Sequence, residues 1–138
     1  MEGYSLVNIN KVVEEDGILY VMEGGKEIPF EIKRIFFVSN VTSGKSRGNH
    51  ATLKTRLILF PISGKCNVVV DNGFEKVRIA MEKKEQGILI DPMIWRSMED
   101  FSDDCVMMAV CDRHYSPGCE TIDDYEEYIR IIKTKEEE

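Results

Sequence analysis

No apolar run in the chain approaches the roughly 20 residues of a membrane span. The first residues also lack the basic-then-apolar layout of a secretory signal. Basic residues are in short supply, 18 Lys and Arg against 25 Asp and Glu, for a net charge of -7. A phosphate backbone wants a basic face, so nucleic acid is excluded as a general partner. Cys66, Cys105, Cys111 and Cys119 show no CxxC spacing, and three of them lie in or beside apolar runs. They read as buried, reduced thiols of a cytoplasmic protein. Only Cys111, near Arg113 and His114, has the basic neighbours a catalytic thiol would want. No linker, repeat or low-complexity segment divides the chain, so residues 1–138 read as one domain with a frayed acidic tail from about residue 133.

What is present is a succession of short strand-like runs with turn signals between them, the mark of a sandwich or barrel. Ser5–Val13 and Ile18–Met22 are the first two, separated by the Asp16–Gly17 turn. Ile32–Val38 is β-branched and aromatic, which predicts burial on at least one face, and the polar stretch Ser39–Asn49 reads as a loop. Arg56–Ile62 follows, then Lys65–Asp71, with Cys66, Val68 and Val70 on one face. Asp71-Asn72-Gly73 is a strong hairpin signal leading into Phe74–Met81. Gly87–Ile90 and Cys105–Val110 complete the strands, the latter apolar enough to be central. Ile122, Tyr125, Ile129 and Ile132 fall at helical spacing, and Thr121 with Asp124 has the form of a capping box. The expectation is an all-β domain with a C-terminal helix from about Ile122 to Ile132.

The stretch Gly44–Gly64 carries a more specific pattern. Gly44, His50, Thr52, Leu57 and Gly64 stand at the spacing of the first cupin motif, whose metal-binding members have His, His and Glu or Gln at the three middle positions. Inward positions alternate along a strand, so these side chains would face the hollow of a small cupin-type β-barrel, or jelly roll. In the looser second motif, Gly87–Ser97, the slot of the last metal-binding His holds Ser97. One imidazole among Thr, Leu and Ser lacks the three or four converging donors that zinc or iron requires, so the expected site has no metal and no cofactor.

The runs Ile28–Arg34 (IPFEIKR), Arg47–Ala51 (RGNHA), Ser63–Gly73 (SGKCNVVVDNG) and Ile94–Met108 resemble the dTDP-4-keto-6-deoxyglucose 3,4-ketoisomerases, also called WxcM-like cupins. The similarity spans nearly all of residues 8–128. The resemblance implies a cytoplasmic, metal-independent homodimer. Such an enzyme moves a ketone from carbon 4 to carbon 3 of a dTDP-linked 6-deoxyhexose in the synthesis of surface sugars such as those of lipopolysaccharide. The chain departs from the family pattern at four places. Thr52 replaces a second histidine, Leu57 replaces a Gln, Phe36 and Phe37 replace tyrosines, and Glu120–Tyr125 reads ETIDDY in place of DYIRDY.

The isomerisation needs a base of near-neutral pKa, a donor to the sugar oxygens, and exclusion of water. His50 suits the first task, since an unperturbed imidazole titrates at about 6.5. Thr52 can donate a hydrogen bond beside it but is too weak an acid to protonate carbon. Arg47 reads either as a bidentate ligand of the diphosphate or as a brace for its turn, with Arg34 and Lys54 as further phosphate candidates. Trp95 either stacks on a base or sugar or belongs to the core. His114 sits in the polar run DRHYSPG and reads as a surface residue. The functional reading is therefore an isomerase with His50 and Thr52 as catalytic residues. The alternative is a module that binds a nucleotide sugar and has lost the chemistry.

Overall fold

A computed structural model describes residues 1–137. The first strands are β1 (Tyr4–Asn8), β2 (Asn10–Glu14), β3 (Gly17–Val21), β4 (Arg34–Ser39), β5 (Arg47–Thr52) and β6 (Leu57–Ser63). They are followed by β7 (Cys66–Asp71), β8 (Lys76–Met81), β9 (Gln86–Ile90), β10 (Trp95–Glu99), β11 (Val106–Cys111), β12 (Thr121–Ile122) and the helix α1 (Tyr125–Glu137). Two five-stranded antiparallel sheets face each other, in the orders β1-β9-β6-β11-β4 and β12-β5-β10-β7-β8, and β2-β3 forms a separate hairpin. The all-β jelly roll with a C-terminal helix is as expected. Its ladders end at the sheet edges and do not run on into a closed barrel.

Alternation along the strands builds the core between the sheets. Leu57 and Leu59 of β6 and Val68 and Val70 of β7 point inward against Ile88, Ile90, Met98 and Met107. Ile58, Phe60 and Val110 point the other way and form a second cluster with Ile9 and Ile28. The Asp71–Gly73 turn closes the β7–β8 hairpin: Gly73 has φ 94°, and the Asn72 side-chain oxygen accepts from the Phe74 and Glu75 amides. A third cluster lies outside the second sheet. There Tyr128, Ile129 and Ile132 of α1 pack on Ala51, Trp95 and Ile122.

Several boundaries differ from expectation, each for a tertiary reason. Ser5–Val13 is two strands, because buried Ile9 interrupts it and the chain passes from pairing with β9 to pairing with β3. The Ser39–Asn49 loop ends early, since Arg47–Asn49 already belong to β5. The strand expected to be buried, β4, is a sheet edge, and Phe37 is 68 % exposed. The helix starts at Tyr125, with Asp124 as its N-cap accepting from the Glu126 amide at 2.9 Å, while Thr121 lies in β12. Residues 133–137, expected to fray, continue the helix, and Glu138 lies outside the described residues. Cys66, Cys105 and Cys111 are buried, but Cys119 is exposed.

Strand β10 was not foreshadowed by its sequence. Its inward residues are Arg96 and Met98, and an arginine in an inward slot conceals the apolar alternation by which a half-buried strand is recognised.

Candidate active site

A bulge in β5 sets the central residue. Arg96 pairs with His50 and Ser97 with Gly48, which leaves Asn49 as the extra residue. Gly48 and Asn49 both have left-handed backbones, at φ 87° and 57°. A Cβ on Gly48 would lie 3.2 Å from the Arg96 carbonyl, so glycine permits the close approach of β10. Beyond the bulge, His50 and Thr52 face a cavity of about 560 Å³ between the sheets, while Ala51 faces α1. The cavity wall also includes Arg34 and Phe36 of β4, Arg96 of β10, Tyr115, and Glu120, Thr121 and Asp123 from around β12.

Arg96 is only 6 % exposed, and its Nη2 lies 3.1 Å from His50 Nε2. A guanidinium can only donate, so Nε2 is the acceptor and the neutral ring carries its hydrogen on Nδ1. Asp123 Oδ1 is 3.6 Å from that Nδ1. Burial, and then the positive charge of Arg96, push the His50 pKa down to about 4, against a smaller upward pull from Asp123 and Glu120. His50 is therefore an unprotonated base at neutral pH. Burial likewise lowers Arg96 to about 10, which leaves it charged.

Arg34 forms the opposite wall. Its Nη2 donates to Glu120 Oε1 at 2.9 Å, and its guanidinium sits between the Phe36 and Tyr115 rings, 5.7 and 5.5 Å from their centroids. Glu120 also accepts from the Thr55 hydroxyl and the Ser116 amide. Burial works against the charge on Glu120, but these bonds outweigh it and hold the carboxyl below its usual range. Arg34 Nε and Nη1 and Arg96 Nη1 are buried without a protein partner. Unsatisfied buried donors are costly, and both guanidinium groups belong to residues that line this cavity, so their three unpartnered nitrogens mark it as a place for ligand oxygens. Among the described residues no three His, Cys, Asp or Glu side chains converge as metal ligands would.

The family model FdtA: WxcM-like, C-terminal matches residues 2–133. The chain belongs to this family. A TDP-4-oxo-6-deoxy-alpha-D-glucose-3,4-oxoisomerase of Aneurinibacillus thermoaerophilus is 31 % identical over 134 residues, covering 96 % of each chain. The structure of WlaRA, a TDP-fucose-3,4-ketoisomerase from Campylobacter jejuni, superposes with a TM-score of 0.85 at 32 % identity, over 93 % of this chain and 94 % of that one. QdtA, a sugar 3,4-ketoisomerase from Thermoanaerobacterium thermosaccharolyticum seen in complex with TDP, superposes with a TM-score of 0.92 at 27 % identity, covering 96 % of both.

Within this WxcM-like site the fold brings together three of the six residues singled out from the sequence: His50, Thr52 and Arg34. Thr52 is a wall residue whose hydroxyl donates to the Thr55 carbonyl at 2.7 Å, so its proton is already committed. The other three lie elsewhere. Arg47 lines a separate surface depression with Phe37, Asn40 and Lys45. Lys54 is exposed in the turn after β5. Trp95 projects from the face of β10 opposite Arg96 and meets Tyr125 edge-on at 5.1 Å, so it anchors the helix. Ser97 shares that outer face and points away from His50. Sequence reasoning missed Arg96, Glu120 and Asp123. The arginine inside the inward slots of IWRSM was the one local signal for Arg96; Asp123 fell inside the expected helix, and Glu120 stood out only within the departure of ETIDDY from the family's DYIRDY.

Proposed function

We propose that this WxcM-like protein is a sugar-nucleotide ketoisomerase, moving a ketone between carbons 4 and 3 of a dTDP-linked 6-deoxyhexose in deoxysugar synthesis. The observation that carries the reading is the neutral His50 ring at the wall of a hexose-sized cavity, flanked by unpartnered guanidinium N–H groups from Arg34 and Arg96. The activities of the 3,4-ketoisomerase relatives support it.

In this reading a sugar oxygen takes up Arg96, which releases the lone pair on His50 Nε2. That nitrogen removes the hydrogen on carbon 3, acidified by the neighbouring ketone. The C–H electron pair becomes the C3=C4 double bond, and the former carbonyl oxygen takes up the charge as a cis-enediol forms. The hydrogen on the carbon-3 oxygen passes to the charged oxygen on carbon 4; the carbon-3 oxygen then forms the new carbonyl, and the C3=C4 electron pair takes the proton held by His50 onto carbon 4. Arg34 and Arg96 donate to the oxygens as charge moves between them, the task for which Phe36 and Thr52 have no free donor. Thr52, Phe36 and Tyr115 shape the wall. Arg34 and Arg96 share the cavity wall with Glu120 and Asp123, so the cavity suits a neutral sugar, and the diphosphate lies outside it.

Two features support a homodimer: the apolar β2–β3 hairpin, with Val13 70 % exposed and Val12, Ile18 and Leu19 about half exposed, and the open β4 edge. The reading places the reaction in the cytoplasm, with no nucleic-acid or membrane partner; no described helix is long and apolar enough to cross a membrane.

The test is incubation with TDP-4-keto-6-deoxyglucose in deuterated water, with exchange of carbon-bound hydrogen followed by NMR. Exchange in the wild type and its loss in His50→Asn are expected. TDP binding with no exchange would leave only a sugar-nucleotide-binding module.

A further inference from the structure

The antiparallel ladder between β12 and β5 pairs Thr121 with Thr52 and Ile122 with Ala51. Continued by one residue, that register sets Asp123 opposite His50. Cross-strand neighbours come within side-chain reach, and Asp123 Oδ1 lies 3.6 Å from Nδ1. The same oxygen accepts from the Thr121 hydroxyl at 2.9 Å, which restrains the carboxylate on the side facing the ring. The other charged groups around His50 are Arg96 from β10 and Glu120, and Glu120 is engaged by Arg34, Thr55 and Ser116. Asp123 is thus the only carboxylate among them that is not already spent on an arginine. The fixed tautomer gives it an Nδ1–H to accept, and the 3.6 Å gap is of the kind that closes when substrate orders a site.

We propose that Asp123 is a positioning residue for His50: it accepts the Nδ1–H and balances the positive ring formed when Nε2 takes the substrate proton. The base is otherwise surrounded by features that oppose its protonation, namely burial and Arg96. A carboxylate across the ladder supplies the missing compensation, and because it acts on Nδ1 it leaves Nε2 free for the sugar. This role rests on the isomerase reading above, but its first test does not need turnover.

That test is an NMR titration of His50 in the free protein. The Asp123→Asn variant should titrate at lower pH than the wild type, and Asp123→Glu should stay close to it. With TDP-4-keto-6-deoxyglucose, Asp123→Asn should lose about 10- to 100-fold in kcat with KM nearly unchanged, and its acid limb should move to lower pH. Asp123→Glu should recover most of the loss. An unchanged His50 titration together with unchanged kcat would overturn the proposal, as would an Asp123→Glu variant no better than Asp123→Asn. Should the wild type isomerise nothing, the functional reading fails, and the His50 titration alone decides the role of Asp123.

Discussion

Replacing Arg96 by Met tests the electrostatic description of the site most directly. Methionine keeps much of the volume but removes the charge 3.1 Å from His50 Nε2. In the native protein the His50 pKa falls from 6.5 to about 4, a gap of roughly 2.5 pH units worth about 3 kcal/mol at 1.36 kcal/mol per unit. Burial is the larger cause and the Arg96 charge the second. His50 in Arg96→Met should therefore titrate at higher pH than in the wild type, followed through its ring proton by NMR. Stability should hold or rise in urea unfolding. Arg96 is buried with Nη1 unpartnered, and exchanging a buried charge for a well-packed apolar group is often neutral or stabilising. Activity should nevertheless fall, because a donor to the sugar oxygens is lost. A His50 that titrates at the same pH or lower in Arg96→Met would refute the account.

Two further outcomes follow from the same contacts. The folded-state pKa of His50 lies below its unfolded value, so the unfolded chain binds the extra proton between pH 6.5 and about 4. Native stability should drop across that window by up to about 3 kcal/mol and level off below it, and His50→Gln should flatten the drop when unfolding is measured against pH. The Tyr128 hydroxyl, in a fully buried side chain, lies 2.8 Å from the Met93 carbonyl and 3.1 Å from the Asp71 carbonyl. Tyr128→Phe should cost about 1–3 kcal/mol in urea unfolding by leaving a buried carbonyl unpaired, with the helix still seated through Ile129 and Ile132.

What could be read from the chain was local. The two-residue period of a strand put His50 and Thr52 on one face, the Asp71–Gly73 turn named its own hairpin, and the Ile129–Ile132 stripe announced a helix. Each depends on a few neighbouring residues and the stereochemistry of the backbone, so the sequence by itself determined them. The order of the strands within the two sheets was not local. It made β4 an exposed edge, sent Trp95 outward under α1, and turned Arg96 inward onto His50. It also carried Glu120 to Arg34, 86 positions away in the chain, and brought Asp123 across the ladder to the imidazole. Tertiary structure alone decided those meetings, because the strands that make them pair across long loops whose closure no local pattern encodes.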